Sequence, residues 1–175
     1  MNVQTKIKTK RYLMYALIIF LAHILQNIVP IFPESASVRP ILLIPVAVCI
    51  AMFEGELVGA VAGAFAGILW DTVTVTADGY NALYLMIACA VCGVLLRIFM
   101  RNNIITYFIM NSSIMFIYLV SYVLFFITAR GIDGGGQVFL RYYLPMGIYS
   151  FILTPLWYYL IRAVCRKFSF DYTEY

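Results

Sequence analysis

Five residues at a strict spacing of four constrain this chain more than anything else in it. They are Gly55, Gly59, Gly63, Gly67 and Asp71, within GELVGAVAGAFAGILWD. On an α-helix that spacing keeps them on one slowly drifting stripe, about 24 Å long. Ala60, Ala64 and Ala66 add more small side chains around it. In a water-soluble helix each glycine would cost about 1 kcal/mol against alanine. In lipid the balance changes, because helices associate there by close packing and a stripe of small residues lets two backbones approach. A chain that is 64% hydrophobic and only 11% charged would aggregate in water, so it reads as an integral membrane protein. The stripe predicts a packing spine. Either a partner helix or this protein's own helices fill it, and both stay open at this point. The carboxylate at its end is costly at membrane depth and is not expected to face lipid.

The apolar runs predict an all-α, polytopic membrane protein. They give a single integral membrane domain over residues 1–175, a bundle of six transmembrane helices. The spans fall at about 12–32, 40–53, 57–75, 81–99, 104–129 and 139–161. The first resembles a signal peptide, with Ser35-Ala36-Ser37 as a possible cleavage site. It is longer than a signal core and more spans follow, so it reads as an uncleaved anchor. The second is short: Ile41 to Phe53 reaches only about 20 Å as a helix, and Pro45 is a candidate kink. Charge decides whether it crosses. With six crossings, Lys6, Lys8, Lys10, Arg11, Arg97, Arg101, Arg162, Arg166 and Lys167 share one side against Arg39, Arg130 and Arg141 on the other. A re-entrant second segment would even the split. The positive-inside rule therefore favours six spans with both termini cytoplasmic.

No residue set persuades as a catalytic centre, so no enzymatic activity and no cofactor is expected. One histidine cannot complete a zinc site with Glu54 and Glu56, which read as a solvated corner. His23, Gln26 and Asn27 share a face of the first helix and read as interhelical hydrogen bonding, as do Asn111, Ser112, Ser113 and Ser121. Cys49, Cys89, Cys92 and Cys165 read as buried small hydrophobes, since the Cys89-x-x-Cys92 spacing lacks a thioredoxin-like context. The loop from Arg130 to Gln137 lacks the ending of a P-loop. Basic residues sit beside spans and form no separate face, which argues against nucleic acid. Asp71 is an intramembrane carboxylate and so a proton-carrier candidate, but near an interface it reads better as a cap or partner contact.

Arg39-Pro40 before a short apolar run, then GELVGAVAGAFAGILWD, then DGYNAL entering the next span resembles the MreD family of rod shape-determining proteins. The family pattern falls on Arg39, Pro40, Gly59, Gly63, Gly67, Asp71, Gly79 and Ala82. The resemblance implies a non-enzymatic component of the bacterial cell-wall elongation machinery, in the inner membrane. It also implies a six-helix fold similar to the substrate-binding subunits of vitamin transporters. Its partners would be an MreC-like membrane protein and, more widely, MreB, a SEDS glycosyltransferase and a penicillin-binding transpeptidase that build peptidoglycan. A competing reading is a vitamin-type transport subunit binding a small solute through His23, Asn27, Asn111 and aromatics. Ala16 and Ala22 do not supply the A-x-x-x-A docking motif of such subunits.

Overall fold

A helix that is apolar on every side has no face for water, and this chain places one at its centre. The computed structural model describes residues 3–28, 40–74, 79–99, 102–125 and 144–170, with side chains from 7 to 167. Among these the chain forms six helices and no strand. They are α1 (Val3–Ile28), α2 (Leu43–Glu54), α3 (Glu56–Asp71), α4 (Tyr80–Ile98), α5 (Ile104–Val123) and α6 (Leu144–Phe170). Leu43 to Met52 of α2 are all buried, and α2 touches each of the other five helices. Four stretches are long and apolar enough to cross a membrane: Ile7–Ile28, Tyr80–Ile98, Ile104–Val123 and Leu144–Lys167. The 12 residues of α2 and 16 of α3 reach only about 18 and 24 Å.

The short α2 runs antiparallel along α1, with its start beside Gln26 and its last residue beside Arg11. Those two α1 residues are about 22 Å apart at 1.5 Å per residue, so α2 passes along the bundle rather than turning back. Its first amides lie among apolar helices, where water cannot satisfy them. Side chains do so instead. Gln26 Oε1 accepts from the amides of Leu42 (2.9 Å) and Leu43 (3.2 Å), and Ser150 Oγ of α6 accepts from Ile41 (2.7 Å). Pro45 lies in the first turn, where its missing N–H costs little, and its carbonyl accepts from the Tyr107 hydroxyl at 2.8 Å.

Helix ends differ from the sequence expectation in three places. The basic stretches at 3–11 and 162–170 are helical, because neither contains Gly or Pro and Lys and Arg are good helix formers. Helix α3 stops at Asp71 rather than near Val75. There the hydroxyls of Thr72 and Thr74 bond back to the carbonyls of Leu69 (2.7 Å) and Trp70 (3.3 Å). Arg39, the Arg130–Gln137 loop and the first residues of the 139–161 span lie outside the described residues.

The tightest pairing is α3 against α4, with α2 beside them. A Cβ on Gly59 would fall 2.5 Å from Ala51 Cβ on α2, and the Cys89 carbonyl lies 3.4 Å away. One turn on, a Cβ on Gly63 would run into the carbonyl of Leu85; after another, one on Gly67 would strike the backbone of Ala82 and Asn81. Gly93 of α4 returns the contact, its missing Cβ occupied by the backbone of Gly55 and Glu56. Each turn along α3 is thus matched by one back along α4. Gly55 makes no such approach; its φ of 87° forms the tight turn between α2 and α3.

Backbone cannot move aside as a flexible side chain can. Gly63→Ala is therefore expected to cost ~1–3 kcal/mol and Gly63→Leu to abolish folded protein, read by thermal unfolding in detergent. Val61→Ala, on the exposed face of the same helix, is expected to stay within about 0.5 kcal/mol.

Candidate functional site

Asp71 closes α3, and its carboxylate reaches the start of α4. Oδ1 accepts from the Asn81 amide (3.3 Å) and Oδ2 from the Ala82 amide (3.0 Å). The residue in the ordinary capping position, Gly79, has no side chain and a φ of 79°. The acid therefore supplies from ten residues away what a local Ser or Asp usually gives, and its charge suits the positive end of the helix. Among the described residues Asp71 has no proton-relay partner; both its oxygens are held by backbone amides.

Asn81, fully buried, ties this junction to a third helix. Its side-chain amide donates to Thr74 (3.3 Å), and its carbonyl oxygen accepts from the Tyr118 hydroxyl of α5 at 2.7 Å. The Tyr118 ring packs on Trp70 and Tyr84 with centroids 5.1 and 5.2 Å away. Ala82 lies directly under Gly67. Of the residues singled out from sequence, Gly67, Asp71, Gly79 and Ala82 thus meet at one junction, while Gly59 and Gly63 lie further along the α3 seam. Pro40 is buried at the approach to α2. The centre of the junction, Asn81, sits inside the DGYNAL motif, but nothing in the sequence points to its α5 partner 37 residues on.

A second polar cluster lies at the other end of the bundle, the end carrying the basic residues. Glu54 is not a solvated corner. Its carboxylate accepts from Arg11 and from the Tyr15 hydroxyl, each at 2.7 Å, and its side chain is only 6% exposed. Tyr15 also meets Cys165 Sγ at 2.8 Å, so the cluster joins α1, α2 and α6. Glu56 does face water, paired with Arg97 at 2.7 Å. Its own backbone amide, then Arg97, holds its carboxyl below the usual range. That contribution is present above the usual carboxylate pKa and lost as pH falls through the lowered one.

Of the remaining polar candidates, Asn27 bonds within its own helix rather than to another. Asn111 reaches across to α6, and its Oδ1 is buried without a donor among the described residues. Asn27 donates to the His23 carbonyl (2.9 Å), and Asn111 donates to Thr154 of α6 (3.0 Å). Cys49, Cys89 and Cys92 are buried thiols, and no group of metal-ligating side chains occurs among the described residues. Two shallow grooves open on the outside. One of about 390 Å³ lies between α1 and α3 over Ile50 of α2, and one of about 310 Å³ lies between α5 and α6. Neither is lined by His23, Asn27 or Asn111.

Two outcomes follow. Asp71→Ala should lose about 1–2 kcal/mol and a few degrees of Tm in detergent, with Asp71→Asn between it and the parent. An unchanged Asp71→Ala midpoint would contradict the cap. Arg11→Met leaves a buried carboxylate without its cation and should cost ~3–5 kcal/mol. Arg97→Met, at an exposed pair, should leave the midpoint little changed.

A family model described as rod shape-determining protein MreD matches residues 7–168. No curated protein and no solved structure matches the chain. Matched over nearly its whole length, with Gly59, Gly63, Gly67, Asp71 and Ala82 locking three helices together, this chain belongs to the MreD family of rod shape-determining proteins.

Proposed function

We propose that this protein is a non-enzymatic scaffold of the cell-wall elongation complex in the bacterial inner membrane. It holds an MreC-like partner by that partner's transmembrane helix. Through this partner it keeps MreB, a SEDS glycosyltransferase and a penicillin-binding transpeptidase working together on peptidoglycan. The positive-inside rule sets the end with Arg11, Arg97 and Arg162 in the cytoplasm, and both termini with it.

One observation carries this reading: the bundle spends its polar side chains on its own helices and keeps apolar faces outward. A protein built so acts through its lipid-facing surface. The glycine stripe is already filled by α2 and α4, so a partner helix needs another face. The α5/α6 groove suits one, because small residues, Ser112 and Gly147, line it between Met115, Leu119 and Phe151.

The test is co-purification with the MreC-like partner and site-specific photo-crosslinking in cells. A crosslinker at Phe116 or Ile148, both exposed beside the groove, is expected to capture the partner. Ser112→Trp, at an exposed position, should cut co-purification at least fivefold while leaving the fold intact. A full complex with Ser112→Trp, and no capture at either site, would overturn this docking face.

A further inference from the structure

The α1/α3 groove has a different chemistry from the α5/α6 one. Its walls are Tyr12, Tyr15 and Ile19 from α1 and Leu57, Val61 and Phe65 from α3. From Leu57 to Phe65 it runs only about 12 Å. One leaflet's acyl chains span about 15 Å, half of the hydrocarbon core. The groove lies in one half of the bundle, because Tyr12 and Leu57 at its mouth follow directly on Arg11 and Glu56. That half faces a single leaflet's acyl chains, and what sets this groove apart from the α5/α6 one is the charge at its mouth.

The mouth is cationic. Lys8 lies one turn before Tyr12 on the same face of α1, is exposed, and makes no ion pair among the described residues. Arg11 sits over the Tyr12 ring with its guanidinium carbon 5.9 Å from the centroid. One of its nitrogens pairs with Glu54, and its Nε is enclosed, without an acceptor among the described residues. Among the described residues, the two acids beside the mouth are turned away. Glu54 is enclosed by Arg11 and Tyr15, and Glu56 points to Arg97 on α4.

The geometry points to a phospholipid site. The groove takes one acyl chain of an anionic phospholipid from the basic-end leaflet, and Lys8 holds the phosphate. An apolar groove within one leaflet, with an exposed lysine one turn beyond its mouth, matches a negatively charged head on a hydrocarbon tail. This reading goes beyond the scaffold role and requires only that the partner take a face other than the α1/α3 groove.

The experiment uses the full chain in phosphatidylcholine nanodiscs, titrated with phosphatidylglycerol and read by native mass spectrometry after release. One phosphatidylglycerol is expected to stay bound where phosphatidylcholine does not. Val61→Trp, filling the groove from an exposed position, should abolish retention. Lys8→Gln should weaken it about fivefold, and Leu83→Trp, at an exposed position of α4 outside both grooves, should leave it unchanged. Equal retention of the two lipids, or unaltered retention in Val61→Trp or in Lys8→Gln, would overturn the site. So would capture of a partner's helix by a photo-crosslinker at Val61.

Discussion

Everything in this bundle is referred to one close contact, that of the α3 backbone with the backbones of α2 and α4. Apolar side chains give no preference for a neighbour over lipid, since both are hydrocarbon. What a membrane protein gains by association is packing, and packing is densest where side chains are missing. Gly59, Gly63 and Gly67 remove the three Cβ atoms that would hold α3 away, and Gly93 removes the fourth from the other side. Once α3 and α4 lie this close, the end of one can cap the start of the other. Asp71 does so.

The same constraint explains α2. A helix of twelve residues buried among five others has ends that water cannot reach, so neighbours must satisfy them. Gln26 and Ser150 hold its first amides, and the Arg11–Glu54–Tyr15 cluster anchors its last turn. Polar side chains that in another membrane protein would mark a solute path are used here to fix helix ends. Rigidity within and apolar surface without suit a component that works by holding others in place.

Much of this was legible in the sequence, and the remainder was hidden for physical reasons. A four-residue period of glycine announces that something approaches closely, but lipid-buried neighbours and lipid-buried partners leave the same mark. The all-apolar second segment was readable as short; its central position was not, because only the sum of its neighbours defines a centre. Glu54 looked like a water-facing corner, since its cation lies 43 residues earlier and its hydroxyl donor 39. Local spacing carries no trace of such pairings. The helical extent of the basic segments is not visible in the charge pattern, because charge marks the end of a span while helix propensity does not stop at the membrane surface.

The most direct test of the account is a double-mutant cycle on Gly59 and Ala51, where the missing Cβ of α3 faces a Cβ of α2 at 2.5 Å. If the gap on α3 is filled by this protein's own helix, Gly59→Ala is destabilising alone and partly rescued by Ala51→Gly. The coupling should be of order 1 kcal/mol in reversible unfolding in detergent. Losses that simply add would mean the two residues do not meet, and the glycine stripe would then be free for a partner after all.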